Sequence, residues 1–308
     1  MRYLNFLLVI FLTACGQPDA PAPAAPTEVS GKPVVFTVNY PLAWAAEQLA
    51  GDSVEVVFPA PPGIDPAFWE PDLETIAAYQ QADLILLNGA GYAHWTSRVS
   101  LPQNALVDTS AALADRLITV ASGPVHSHGP EGEHSHGETA FTTWLDLDLF
   151  SQQMASIAAA LKVLLPKAAD DIDRRANALK LELTTLDTRL SDIGKALDGK
   201  PVLFSHPVFQ YLENAYSFNG HSLHWEPDKP PTEQQWRELR GLLEAVNAGL
   251  MIWEGQPLPE VQERLLDMGV TVVVFPPQGN RSTEGGFLEL METSATELEL
   301  AIERLNGA

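Results

Sequence analysis

Residues 168–197, AADDIDRRANALKLELTTLDTRLSDIGKAL, place Ile172, Ala176, Leu179, Leu183, Leu186, Leu190, Ile193 and Leu197 at steps of three or four. That spacing lays one apolar stripe along a single face of a helix and leaves the other faces to Asp, Arg, Lys and Thr. About 30 residues at 1.5 Å each span roughly 45 Å, more than the width of a small domain. Such a helix can serve as a spine joining two lobes. A second helical period, Leu149 to Leu165, stops at Pro166 just before it.

On both sides of the spine, short aliphatic runs alternate with helical segments, the pattern of an α/β protein. Before it the strands are expected at Val34 to Val38, Val54 to Phe58, Leu84 to Leu87 and Ala105 to Asp108, with helices at Pro41 to Ala50, Asp72 to Gln80 and Tyr92 to Val99. After it the strands are expected at Val202 to Phe204, Ser222 to His224, Leu250 to Ile252 and Val270 to Phe275, with helices starting at Val208, Thr232, Leu258 and Glu284. The reading is an α/β chain of two similar lobes, residues 34–166 and 200–308, each a mainly parallel sheet flanked by helices, joined by one long rigid helix over 167–199. Open α/β sheets gather ligands at the carboxyl ends of their strands, so the lobes should share a cleft there.

Composition narrows the function. The chain has 308 residues and a formal net charge of −22. Nucleic acid is excluded as a partner, because phosphate binding needs Lys and Arg to displace counterions. A single cysteine excludes an internal disulfide framework and a Cys-rich zinc finger. No GxSxG, HExxH, P-loop or GxGxxG phrase occurs, so no enzyme is expected.

That cysteine, Cys15, follows a positive start and the apolar run Leu4 to Leu12, which is too short for the roughly 20 residues of a bilayer span. Residues 1–14 read as a cleaved export signal, and Leu12-Thr13-Ala14-Cys15-Gly16 resembles the lipobox of bacterial lipoproteins. The resemblance implies lipidation at Cys15 and an extracytoplasmic protein anchored at the periplasmic face of a membrane. Residues 15–33 are rich in Pro and Ala and read as a tether.

Several phrases, in order, resemble the zinc and manganese substrate-binding proteins of bacterial metal-uptake ABC transporters. They are Pro62-Gly63-Ile64-Asp65-Pro66 with Trp69-Glu70-Pro71, Ala82-Asp83-Leu84-Ile85 with Asn88-Gly89 and Trp95, Trp144-Leu145-Asp146, Ser205-His206-Pro207-Val208-Phe209, and Trp225-Glu226. The likeness covers residues 34–305. It implies a metal held between the lobes, Zn2+ before Mn2+, and delivery to an ABC permease in the cytoplasmic membrane by a protein acting as a monomer. Residue by residue the family ligand set is incomplete. Ala67 and Thr142 stand where the family has histidines, His206 and Glu226 match ligand positions, and no carboxylate stands in Phe275-Pro276-Pro277-Gln278. Two protein ligands hold zinc weakly, so His224 and His94 are added as candidate replacements, with Glu70 nearby in sequence.

A further cluster stands in residues 123–138, where His126, His128, His134 and His136 are interleaved with Glu131, Glu133 and Glu138. Paired HxH spacing on a loop allows chelation of zinc or nickel without a preformed cavity. The expected function is a zinc-preferring binding component of an uptake transporter. The alternatives are a metal buffer acting through this loop, or capture of an organic or metallophore-bound ligand between the tryptophans Trp69, Trp95, Trp144 and Trp225.

Overall fold

The computed structural model describes residues 31–120, 126–127, 133–134 and 139–307. The expected leader, Cys15, most of the tether, His128 and His136 lie outside the described residues.

Two parallel four-stranded sheets form the body. The first contains β1 (Val34–Thr37), β2 (Glu55–Val57), β3 (Leu84–Leu87) and β4 (Leu106–Asp108), in the order β2-β1-β3-β4. A short antiparallel pair, β5 (His126–Ser127) and β6 (Glu133–His134), follows. The second sheet contains β7 (Pro201–Phe204), β8 (Asn219–Ser222), β9 (Leu250–Trp253) and β10 (Thr271–Val274), in the order β10-β9-β7-β8. Read from the other edge, this is the same order as in the first sheet, and the expected α/β fold of two similar lobes is present.

Helices α1 (Tyr40–Ala50) and α2 (Leu73–Tyr79) belong to the first lobe, where Asn39 and Asp72 cap their free N–H groups. Helix α3 (Leu147–Leu164) starts on Asp146, whose carboxylate accepts from the amides of Asp148 and Leu149. Helix α4 (Ala169–Leu197) is the long spine. Helices α5 (Gln210–Tyr216), α6 (Glu233–Val246), α7 (Pro259–Asp267) and α8 (Phe287–Gly307) complete the second lobe, α6 starting on a reciprocal Thr232/Gln235 cap.

The stripe on α4 is buried as the spacing requires, with Ala176 half-buried and the seven other stripe residues buried. It lies in one continuous core that takes in Leu49 and Leu161 from the first lobe and Phe204, Tyr216 and Leu298 from the second. Along β7 and β9 the pleat alternates, Val202, Phe204 and Ile252 facing that core while Leu203, Met251 and Trp253 face a second one under α6 and α7. Polar contacts fix the register of the spine. Arg175 donates to Leu49 O at 3.2 Å, and Arg189 forms a two-pronged pair with Glu299 of α8 at 2.6 Å on each prong.

Two expectations are corrected. The segment 92–99 makes only a 3-10 turn, His94–Ser97, because Ala90, Gly91 and Ala93 take left-handed backbone just before it while Trp95 packs edge-on against Tyr79 at 4.9 Å. The strand expected at Ser222 to His224 lies earlier, at Asn219–Ser222, whose residues carry no strand propensity. Gly220 is needed there, since an added Cβ would sit 2.1 Å from the Glu213 carboxylate and 2.7 Å from the Phe204 ring.

Two predictions follow from this packing. A Cβ at Gly194 of α4 would lie 1.9 Å from Tyr216 O, so Gly194→Ala should destabilise by about 1–3 kcal/mol, read as a lower urea midpoint. Burial pushes the Glu213 carboxyl up to about 7 from an ordinary 4.5. The native state therefore keeps a proton that the unfolded chain has released, and this stability is complete below about pH 4.5 and lost as pH rises to about 7. Glu213→Gln should be more stable than the wild type at pH 8 by about 1–3 kcal/mol, with the gap closing toward pH 4.5, in melts across that range.

Candidate functional site

In each sheet the first strand occupies the second position, so the chain reverses direction across the sheet between β1 and β3 in one lobe and between β7 and β9 in the other. Crevices open outside the carboxyl ends of strands at such points. In the second lobe the crevice carries chemistry. His206 follows β7, is buried with 1 % of its side chain exposed, and sets Nδ1 3.1 Å from Oε1 of Glu254, which follows β9. Ser205 Oγ accepts from the Glu254 amide at 3.3 Å and steadies it. Past the end of β8, Trp225 N donates to Ser205 O at 2.7 Å, which brings the ring of His224 edge-on to His206, centroids 5.9 Å apart. In the tautomer where Nδ1–H donates to Glu254, Nε2 carries the lone pair that a metal needs.

The first lobe uses its crevice for structure. Asn39 accepts from Leu42 N and donates Nδ2 to Asn88 Oδ1 at 3.0 Å, and Asn88 Nδ2 donates to Phe141 O at 2.9 Å. This amide relay fixes the 140–144 turn. From that turn Thr142 Oγ1 donates to Val208 O and Trp144 Nε1 to Pro277 O, each at 2.6 Å, across to the second lobe. Asn280 Nδ2 returns the contact, donating to Pro61 O and Ile64 O at 2.7 Å each, and Asp65 accepts from Ala67 N at 2.9 Å to close its own turn.

These segments enclose a cavity of about 150 Å³ between the lobes, lined by Asp65, Tyr92, Thr142 and Trp144 on one side and Glu254 and Gln278 on the other. Gln278 and Tyr92 are each only 6 % exposed. Among the described residues neither amide atom of Gln278 nor the Tyr92 hydroxyl has a hydrogen-bond partner. Burial pushes the Tyr92 phenol well above its ordinary range and the Asp65 charge adds to this, so it stays an O–H donor. A larger groove of about 500 Å³ lies between the last turns of α4 and α8. It sits beside the amino ends of the second sheet, where Lys200 meets Asn306, on the wrong side for a strand-end site.

Of the expected ligands, the structure brings the rings of His206 and His224 together. Glu226 and His224 lie beyond β8 rather than on it, so strand alternation does not align them, and Glu226 holds Lys229 Nζ at 2.5 Å. His94 is exposed on its 3-10 turn, and Glu70 pairs with Arg98. Ala67 and Thr142 are buried at their family positions, offering a methyl and a hydroxyl. Among the described residues no group of three or more His, Cys, Asp or Glu is placed to hold a metal. His126 and His134 are Cα partners in the β5–β6 pair. Of the four tryptophans, Trp144 lines the cavity, whereas Trp225 packs on Trp236 and Trp253 in the second core. Sequence reasoning missed Glu254, Gln278 and Tyr92. The signal for Glu254 was its place directly after the apolar strand Leu250–Trp253, at a carboxyl end.

The sequence model of the ZnuA family, zinc-uptake complex component A, periplasmic, matches residues 35–301. The chain belongs to this family. Its members are substrate-binding proteins of transporters, not enzymes. Among ZnuA relatives, the metal ABC transporter substrate-binding lipoprotein FimA of Streptococcus parasanguinis is 27% identical over 222 residues, 70% of each chain. The high-affinity zinc uptake system protein ZnuA of Bacillus subtilis is 24% identical over 96% of this chain and 93% of its own length. The crystal structure of the Zn(II)-bound ZnuA-like domain of Streptococcus pneumoniae AdcA superposes with a TM-score of 0.74 at 19% identity, covering 89% of this chain and all of that domain, which establishes the fold. The chain spans 46% of the full AdcA sequence.

Thr142 stands where the ZnuA resemblance puts a ligand, and here its hydroxyl ties the lobes instead. Thr142→Val should lose that bond and lower stability by about 1 kcal/mol, seen as a shifted urea midpoint at unchanged slope.

Proposed function

We propose that this protein is the extracytoplasmic, zinc-preferring binding component of an ABC uptake transporter and hands the ion to a membrane permease. The observation that carries the reading is the buried His206–Glu254 pair at the strand ends of the second lobe, beside the interlobe cavity. Imidazole supported by a carboxylate is a zinc ligand with its orienting partner already in place. Two carboxylates, Asp65 and Glu254, line the cavity and favour a cation. The zinc named for AdcA and for the Bacillus subtilis relative supports zinc over manganese, which is named for PsaA of Streptococcus pneumoniae. Anchoring through a lipid on Cys15 and capture of metal by the 123–138 loop belong to the same proposal, as do lobe boundaries at 34–166 and 200–308 with the linking helix over 167–199.

Residues 32–308, which form one compact unit, should be titrated with zinc and with manganese in three versions: wild type, a 123–138 deletion and His206→Ala. The expected result is submicromolar zinc binding, weaker manganese binding, survival of zinc binding in the loop deletion and a loss of at least 100-fold in His206→Ala. Glu254→Gln should cost about 10- to 100-fold, the usual effect of removing a partner that orients a ligand. Binding abolished by the loop deletion and unchanged by His206→Ala would replace the cleft reading with a metal buffer.

A further inference from the structure

Strand β8, which leads the chain to His224, lies at the edge of its sheet and is bonded on one side only, to β7. Beyond its last residue the ladder continues. Leu223 N donates to Phe204 O at 2.8 Å and Trp225 N to Ser205 O at 2.7 Å, and between these two bonds His224 sets its ring 5.9 Å from that of His206. Against the strand lies a carboxyl. Glu213 of α5 comes so near Gly220 that an added Cβ would stand 2.1 Å from its Oε2, with the Phe204 ring 2.7 Å from the same point. Phe204 in turn stacks with Phe209 and Phe218, so this carboxyl meets strand backbone and aromatic rings.

The titratable groups of the neighbouring elements face away or are bonded elsewhere. Gly220 and Ser222 share the inner side of the sheet with Val202 and Phe204, whereas His221 is paired with Leu203 on the opposite side. From α4, Asp187 accepts from the Tyr216 hydroxyl at 3.0 Å, and ahead of α3, Asp146 lies near Tyr211 and pairs with Arg116 at 3.2 Å. On α5 itself the other titratable groups are Tyr211 and Tyr216, phenols that burial pushes above their ordinary range. Burial likewise pushes the Glu213 carboxyl up to about 7. Its neutral form fits the site, and its anion has to reach water.

We propose that Glu213 is a proton-set latch and a positioning residue for the site: protonated, it keeps β8 seated and His224 against His206, and ionised, it frees both. Its effect on cargo rests on the metal-binding reading above, whereas the latch itself does not. Opening β8 gives the carboxyl to water, where it ionises at an ordinary 4.5, so the closed state holds a proton that the open state has released. Opening therefore becomes easier as pH rises through neutrality and levels off once the closed state ionises as well. Between an ordinary 4.5 and about 7, linkage favours opening about tenfold more at pH 8 than at pH 6.

Hydrogen exchange tests the latch without any metal. After correction for the intrinsic pH dependence of exchange, protection of the 219–225 amides should be about tenfold lower at pH 8 than at pH 6, and below that of β9 at both. Glu213→Gln and Glu213→Met, each confirmed to melt cooperatively, have no proton to lose here and should keep the same protection at both pH values. Zinc release into excess chelator is the second readout. Histidine protonation acts on every version alike, so the ratio of wild-type to Glu213→Gln off-rates isolates Glu213 and should rise about tenfold from pH 6 to pH 8. Wild-type protection that stays level with pH, that falls equally in both variants, or that falls only in step with β9 overturns the latch. A fall in protection with an unchanged off-rate ratio overturns its hold on the cargo. If no zinc binds, the metal-binding reading falls and the exchange result decides the latch by itself.

Discussion

Across the cleft the indole N–H of Trp144 meets the carbonyl of Pro277 at 2.6 Å, and the arrangement of the site hangs on that bond. Pro276 and Pro277 have no N–H, so at these two positions the loop that follows β10 can offer the first lobe only acceptors. The first lobe answers with donors, Trp144 Nε1 to Pro277 O and Tyr40 N to Gly279 O at 2.9 Å. Directing both carbonyls outward obliges Gln278 between them to take left-handed backbone, φ 60°. The same turn leaves its side chain buried beside the cavity. A proline pair chosen for backbone reasons thus sets the turn that buries Gln278.

The two lobes repeat one strand order and use it differently. At the crevice of the first sheet, Asn39 and Asn88 satisfy each other and the 141 carbonyl, a buried network with its polar groups paired, which rigidifies without titrating. At the matching crevice of the second sheet stand His206 and Glu254, groups whose charge depends on what lies next to them. Interior positions tolerate such groups when a partner offsets desolvation. A dication in the adjoining cavity, as proposed above, would be attracted by Glu254 and Asp65 together, and the net charge of −22 adds a diffuse attraction that salt screens beyond about 8 Å.

Much of this was legible in the sequence for a physical reason: burial imposes period. The α4 stripe could be read to within one residue, and strands such as Leu84–Leu87 and Leu250–Trp253 are nearly pure aliphatic runs because they are covered on both faces. Strand β8, Asn-Gly-His-Ser, was misplaced because it is an edge strand held by β7 and shaped by the Glu213 carboxylate against Gly220, a tertiary cause with no local trace. In the site, the phrases around Asp65, Thr142 and Gln278 do converge on one cavity. His224 and Glu226 were read as sharing one face of a strand, but two residues of separation mean a shared face only within a strand, and β8 ends at Ser222. Orphaned atoms on Gln278 and Tyr92 depend on three-dimensional surroundings that no spacing encodes.

The same contacts limit how cargo can enter. A wide swing of one lobe would have to shear α4, whose stripe is buried at both ends of a single core and whose Gly194 abuts the α5 backbone. Close-packed interiors shift between discrete arrangements rather than stretch, so that route is costly. The 277–280 loop is held by a few individual hydrogen bonds instead: Trp144 to Pro277, Tyr40 to Gly279, and Asn280 to Pro61 and Ile64. At a net 0.5–1.5 kcal/mol or so apiece, and with water replacing each partner as it leaves, such bonds open far more readily than the core. The cheapest path to the cavity lifts this loop, Gln278 with it, and leaves the spine in place.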